Sequence, residues 1–341
     1  MTFFTLFTRR AALALLATSL LLMPAHAASR VAAAKRATRP AARTLTLWLD
    51  WQPNSDHAGI YVALARGYYA RAGLDVRPRI PAGAADGLKL VAQGTGDIAI
   101  SYEPEVLLAR TRNIPVVATA AIVQRPLNCI MTLARSGITR PRQLQGKTVG
   151  ISALPSDYAA IDAMVRHDGG DPSRVKTVNV GYGLLPQLLS GRVDAVEGVS
   201  WAWEALQATR SGRPVNVMRV DRYGMPTYDE LVFATGTGQL RREAATLRAF
   251  QRATFEGYAY AVAHPAEAAR ILTRAPGTLS TDASLVAHSV DLLGPAFHDA
   301  HGRYGTLSAA QWQAYADWMT RTRLASRHIN APAALTTSLE P

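Results

Sequence analysis

The sequence predicts an α/β protein made of two similar lobes, each built on a mostly parallel sheet. From residue 45 onward, short apolar runs alternate with amphipathic stretches, the pattern of βα units feeding parallel strands. LKLVAQGTGDIAI (88–100) and LPQLLSGRVDAVE (185–197) repeat one plan: helix, glycine, turn, aspartate, strand. Some 300 residues beyond the N-terminal leader are also many for one hydrophobic core, roughly twice a typical domain. A single long sheet would accommodate the echo as well, but two lobes are the more economical arrangement.

The chain opens with MTFFTLFTRRAALALLATSLLLMPAHA, where Arg9 and Arg10 precede an apolar stretch from Ala11 to Leu22 and a small-x-small site at Ala25-His26-Ala27. Residues 1–27 therefore read as a cleaved export signal, and ASRVAAAKRATRPAAR (28–43) as a flexible leader. Strands are expected near Leu45–Asp50, Leu74–Ile80, Asp97–Ser101 and Val116–Ile122, with helices near 57–71, 84–93 and 104–112 between them. RPLNCIMTL opens a second set. It continues through ITRPRQLQGKTVGIS, a helix near 157–168, the strand KTVNV, a short helix near 184–190 and DAVEGV. The stretch from Arg241 to Ala325 is expected to be mainly helical, with amphipathic periods in FQRATFEGYAYAVAHP and LSAAQWQAYADWM.

Composition removes several classes of function. The formal charge is +12, but residues 1–43 hold seven Lys/Arg and no acid, so most of the excess lies outside the folded part. No basic run with interleaved aromatics remains, which argues against nucleic acid. No stretch after the signal is long and apolar enough to span a bilayer, so stable membrane insertion is not expected. Cys129, the one cysteine, has no partner for an intramolecular disulfide, and no Cys/His metal spacing occurs. GTGDIA (94–99) fits G-x-G-x-x-A yet follows a helix and precedes a strand, the reverse of a dinucleotide loop. Walker, HExxH, G-x-S-x-G and EF-hand motifs are absent. Neither an enzyme nor a bound cofactor or metal is expected.

In open α/β sheets ligands bind beyond the carboxyl ends of strands. The loop after LTLWLD carries Trp51, Asn54 and His57, followed by Tyr61 one helical turn on, with Ser55 or Asp56 as natural N-caps. Taken singly, each has a plain role: Trp51 plugs core, Asn54 turns the chain, His57 starts a helix. As a set of polar-tipped rings at a strand end they point to a site. Other strand ends offer Ser101, Tyr102 and Glu103, then Ser152 and Asp157, then Glu197, Trp201, Trp203 and Glu204, and finally Tyr228 and Glu230. Asp157 suits an N-cap equally well, Trp203 and Glu204 suit a helix surface, and Glu230 suits an edge-strand charge.

The segments LDWQPNSDHAGIYVALARGYY, ISYEPEVLLAR, IPVVATAAIVQRPLN, ITRPRQLQGKTVGI, DAVEGVSWAWE and PTYDELVFAT resemble periplasmic binding components of ABC importers. The likeness is to the ThiY type, which binds a formylated aminopyrimidine precursor of thiamine, and it spans about residues 45–325. It implies a type II, Venus-flytrap fold: lobe 1 over 44–125 and 227–328, lobe 2 over 126–226, and a C-terminal tail over 329–341. The crossings would lie near Gln124–Leu127 and Met225–Asp229, and the clamp would close by hinge motion. The resemblance further implies a periplasmic monomer that hands a heterocyclic small molecule to an importer permease. Trp51 with Tyr182 or Trp201 would sandwich the ring, Glu197 or else Glu230 would accept from its amines, and Asn54, His57, Ser101 and Ser152 would hold a polar arm. Riboflavin and sulfonates of the taurine kind are the competing ligands. The superfamily also includes fungal pyrimidine synthases, which depend on a cysteine-rich iron motif and a substrate-donating histidine. Here the corresponding stretches read YGMPTYDE, without cysteine, and ISYEPEV, without histidine.

Overall fold

The computed structural model describes residues 41–340, so the expected signal and nearly all of the leader lie outside the described residues. Among the described residues ten strands form two five-stranded sheets. The first has the order β2 (Leu74–Arg79), β1 (Arg43–Trp48), β3 (Ile98–Ser101), β10 (Leu231–Gly236), β4 (Val116–Val123). The second has the order β7 (Lys176–Asn179), β6 (Thr148–Ile151), β8 (Ala195–Ser200), β5 (Asn128–Leu133), β9 (Val215–Arg219). In each sheet one strand runs against the others: β10 is antiparallel to both neighbours in the first, β5 in the second. These are the strands that enter a sheet directly after a crossing, so the fold is a two-lobed α/β clamp with the same wiring in both lobes. The chain leaves the first sheet after Val123, enters the second at Asn128, and returns between Arg222 and Leu231.

Local sequence explains the elements. In β1, RTLTLW alternates, and Leu45 and Leu47 are fully buried while the residues between them are half-exposed. VVATAAIV in β4 is buried along its whole length although the strand lies at a sheet edge. The cover comes from the C-terminus: Leu335 forms a parallel bridge to Ala118, Thr336 N donates to the Ala118 carbonyl at 2.9 Å, and Leu339 is fully buried. An exposed edge would otherwise offer unpaired backbone to other chains.

Some details differ from expectation. The helix expected over 57–71 is three pieces, a 3-10 turn at Ser55–His57, a helix at Ala58–Ala65 and a short one at Tyr68–Arg71, because Gly67 sits at φ +71° and breaks the run. The cap at its start is Asn54, whose side chain accepts from Asp56 N at 2.7 Å; Ser55 and Asp56 lie inside the turn. Strand β9 was not expected from sequence. The helical C-terminal region comprises helices at Thr237–Ala263, Pro265–Leu272, Ala283–Leu293 and Ala309–Arg321.

Helix Ala58–Ala65 holds the loop after β1 in place by packing on the long helix Thr237–Ala263 at a pair of glycines. A Cβ on Gly257 would lie 2.1 Å from the Gly59 carbonyl oxygen, and one on Gly59 would lie 2.2 Å from the Tyr258 ring. The Tyr258 hydroxyl then donates to the Asp56 carbonyl at 2.7 Å, fixing that loop from behind. Among the described residues no helix is long and apolar enough to cross a membrane.

Candidate ligand-binding cavity

Where the two sheets' carboxyl ends face each other lies a cavity of about 90 Å³. At roughly 10–15 Å³ per water it holds several waters, or one small ring with a short arm. Its wall comes from four strand-end loops and both crossings. Asp50, Trp51 and Asp56 follow β1, and Tyr102 and Pro104 follow β3. Ser152, Leu154, Ser156 and Asp157 follow β6, and Ser200, Trp203 and Glu204 follow β8. Leu127, Asn128, Met225, Tyr228 and Glu230 come from the crossings, and Tyr315 closes the wall from the helix Ala309–Arg321. Ala153, at φ +65°, turns the chain sharply after β6 between Ser152 and Leu154, a strained position of the kind that accompanies sites.

Five carboxyl groups line this space, from Asp50, Asp56, Asp157, Glu204 and Glu230, and no Lys, Arg or His does. Each has a different support. Glu230 Oε2 accepts from Leu127 N at 2.7 Å and Asn128 N at 3.1 Å. Asp157 Oδ2 accepts from the Ser152 hydroxyl and Leu154 N, both at 2.9 Å. Glu204 Oε2 accepts from Ser200 N at 2.8 Å. Asp50 accepts from the Tyr102 hydroxyl at 3.0 Å and from His57 Nε2 at 2.8 Å. Because Asn54 N donates to His57 Nδ1, at 3.3 Å, the imidazole proton sits on Nε2 and points at Asp50. Asp56 differs from the rest: its Oδ1 is buried without a hydrogen-bond partner. Just behind the wall, Glu197 is fully buried, with Oε1 accepting from Asn128 Nδ2 at 2.7 Å and its carboxyl paired with that of Asp157.

Burial, more than anything else, raises the pKa of Asp56, Asp157, Glu197, Glu204 and Glu230. Asp56 is pushed up to about 8 by burial, with Asp50, Glu204 and Glu230 nearby adding to the rise. Glu204 and Glu230 rise to about 7, held back by the backbone N–H groups they accept from. Asp157 rises to about 6, and Glu197 well above the ordinary carboxylate range, through burial first and then Asp157 beside it. Closely packed, poorly solvated carboxyls of this kind favour a guest that brings hydrogen-bond donors or positive charge. Trp51, Tyr102, Trp203, Tyr228 and Tyr315 supply aromatic surface around the same space, and the indole Nε1 atoms of Trp51 and Trp203 are buried without acceptors.

Of the residues expected from sequence, the structure brings Trp51, Tyr102, Ser152, Asp157, Tyr228 and Glu230 to the cavity wall. Glu197 stands directly behind it. Asn54 and His57 are buried beneath the wall, where they shape the loop and hold Asp50. Tyr61 packs against the core of the first lobe, and Ser101 is buried within β3. Trp201 donates from Nε1 to the Pro126 carbonyl at 3.2 Å, under the Arg219 guanidinium, and so braces a crossing. Tyr182 reaches from the second lobe to donate to the Asp50 carbonyl at 3.2 Å, and its ring lies 6.3 Å from that of Trp51, tilted by 36°. That gap is under two stacking distances of about 3.5 Å, so in this structure the two rings meet with nothing between them. Sequence reasoning saw that acids recur at the strand ends, but it took Asp56 for a cap and Glu204 for helix surface and passed over Asp50.

Residues 54–268 match the sequence profile of the family described as NMT1/THI5 like. The chain belongs to the NMT1/THI5-like family. A formylaminopyrimidine-binding protein of Halalkalibacterium halodurans is 34% identical over 281 residues, covering 82% of this chain and 85% of that one. A 4-amino-5-hydroxymethyl-2-methylpyrimidine phosphate synthase of Saccharomyces cerevisiae is 26% identical over 238 residues, 66% of this chain and 68% of the synthase. Among solved structures, the alkanesulfonate-binding protein SsuA of Xanthomonas axonopodis pv. citri superposes with a TM-score of 0.69 at 14% identity, covering 88% of this chain and 99% of that chain. This NMT1/THI5-like chain thus shares the two-lobed fold of periplasmic binding proteins while its cavity wall is acidic.

Proposed function

We propose that this protein is a periplasmic solute-binding protein that carries an aminopyrimidine of the formylaminopyrimidine kind, a thiamine precursor, to the permease of an ABC importer. The carrying observation is the cavity wall: five carboxyls, several aromatic faces and no basic side chain. An aminopyrimidine matches it, because the ring offers two flat faces and the exocyclic amine with its neighbouring ring nitrogen offers donors to an acid. The sequence likeness to a formylaminopyrimidine-binding protein supports the same ligand class. A sulfonate would bring negative charge into a space already crowded with carboxyls, and three fused rings with a sugar-alcohol tail exceed a cavity of about 90 Å³. The higher identity to a formylaminopyrimidine-binding protein, 34% against 26% to a pyrimidine phosphate synthase, favours carrying over synthesis.

In this reading the first lobe covers 44–125 and 227–328 and the second 126–226, with Gln124–Leu127 and Met225–Asp229 as hinges. Tyr182 then acts across the cleft as a latch on the Asp50 carbonyl, and the protein acts as a monomer after its signal is removed near Ala27. Thermal unfolding of the purified protein against formylaminopyrimidine, hydroxymethylpyrimidine, thiamine, riboflavin and taurine tests the ligand. A true ligand at about 100 times its dissociation constant adds roughly 2.7 kcal/mol of stability. Stabilisation is expected from the first two. Trp51→Ala should remove most of it while the protein still folds; stabilisation by taurine or riboflavin alone would reject the reading.

A further inference from the structure

The first N–H groups of a helix have no partner within it and are commonly met by an oxygen on the N-cap side chain. The helix Pro155–His167, which follows β6 and brings Asp157 into the cavity wall, lacks such a cap. Its N-cap is Leu154, whose side chain has no oxygen, and Pro155 at the first position has no N–H to satisfy. Asp157 bends back to accept from Leu154 N at 2.9 Å, which leaves Ser156 N as the free donor of the first turn. Its partner comes from the opposite lobe: Glu105 Oε1 accepts from Ser156 N at 3.2 Å. Glu105 stands on the helix Glu103–Thr111, between β3 and β4. That helix is firmly anchored, with Val106, Leu107 and Leu108 buried and Glu103 Oε2 accepting from Asp229 N at 2.7 Å on the return crossing.

Resting on the aminopyrimidine reading, we propose that Glu105 is a positioning residue that caps the Pro155–His167 helix only while the clamp is closed, and so sets how long a ligand is held rather than how fast it enters. Ser152, Leu154, Ser156 and Asp157 all line the cavity, so the bond from Glu105 seats that corner of the wall against the other lobe. A carboxylate at a helix N-terminus also meets the positive end of the helix dipole, which makes this a charge-assisted contact. Burial raises the Glu105 pKa, and hydrogen bonding from Ser156 opposes the rise, as expected of a carboxylate that works in its ionised form. When the lobes part, Glu105 leaves with the first lobe, and it and Ser156 N turn to water. A bond made in the ligand-holding state and absent from the open one acts on dissociation. The Tyr182 hydroxyl, donating to the Asp50 carbonyl, is a separate, neutral contact between the lobes, so loss of Glu105 weakens closure without abolishing it.

Stopped-flow tryptophan fluorescence with formylaminopyrimidine, on the wild type, Glu105→Ala and Glu105→Gln, tests this together with thermal unfolding of the ligand-free proteins. In Glu105→Ala dissociation is expected to be about tenfold faster, the low end for a hydrogen bond to a charged group, with association within about twofold of the wild type. Glu105→Gln keeps an acceptor oxygen and loses the charge, so its dissociation should quicken by only about threefold. Both ligand-free variants should unfold within about 2 °C of the wild type, because the bond is no part of the open state. Unchanged dissociation in Glu105→Ala, an affinity loss carried by slower association, or a marked fall in the unfolding temperature of both ligand-free variants would overturn the role of Glu105 and leave the aminopyrimidine reading standing. A wild type that does not bind formylaminopyrimidine would overturn both.

Discussion

Single side chains in this protein are held by bonds that the sequence does not announce. His57 looks like a ligand residue because it is an imidazole at a strand end, yet it is fully buried and spends both nitrogens on the loop, one on Asn54 N and one on Asp50. Asp56 looks like a cap and is instead a wall residue with an unsatisfied oxygen. Residue type gave the chemistry of the site, acids and aromatics, but which acids face inward depends on turns such as Asn54's cap and Ala153's positive φ, and those are set by tertiary packing. The acids also fix a pH dependence. Carboxyls whose folded pKa is raised bind protons more tightly in the native state than in the unfolded one, so the stability they contribute is complete below their ordinary values. It is lost as pH rises through the folded ones. Asp157 and Asp229 titrate near 6, Glu204 and Glu230 near 7, and Asp56 near 8, while the lowered groups, such as Asp299 near 2, act only in strong acid. At about 1.36 kcal/mol per pKa unit, the ligand-free protein should lose on the order of 3 kcal/mol or more between pH 5 and pH 8. Urea unfolding at the two pH values measures it, and a stability that stays level or rises would show that these acids are better solvated than the structure has them.

At the level of elements, strands with strong apolar alternation or long apolar runs, β1 through β6, were legible from the sequence. Strand β9, VNVMR, was not: it is short, mostly half-exposed, and paired on one side only with β5. The expected helix over 57–71 failed at Gly67, where a positive φ ends one helix and starts another, a break that periodicity does not register. The C-terminal residues, expected as a tail, form the cover over the β4 edge. Helix packing carries the most direct consequence for the cavity, because the loop from Trp51 to His57 hangs from the helix Ala58–Ala65 and that helix meets the long C-terminal helix at bare backbone. Gly257→Ala would drive a methyl into the Gly59 carbonyl, and a backbone atom cannot swing aside. A loss of about 3 kcal/mol in chemical denaturation is expected, at the upper end of overpacking costs, together with weaker ligand binding as the Trp51 loop shifts. A substitution tolerated without change in either would mean that the two helices lie further apart.

For the molecule as a whole, the internal echo and the length of the folded part were enough to indicate two lobes, and the structure adds the reason each sheet has a reversed strand: the chain crosses twice. What the sequence left open was which of the acids at the strand ends line the space between the lobes: an overall basic chain closes around an acidic cavity, and Asp50, Asp56 and Glu204 stand in its wall. The proposed function depends on that acidity being used to grip donors on a flat ring. Calorimetric titration with 4-amino-5-hydroxymethyl-2-methylpyrimidine, alongside the same compound lacking its 4-amino group, reads this directly. The expected result is single-site, sub-micromolar binding of the amine and at least a hundredfold loss without it, because a buried carboxylate is then left unpaired. Equal affinity for the two compounds would contradict the account, as would failure of both to bind while an anionic solute binds.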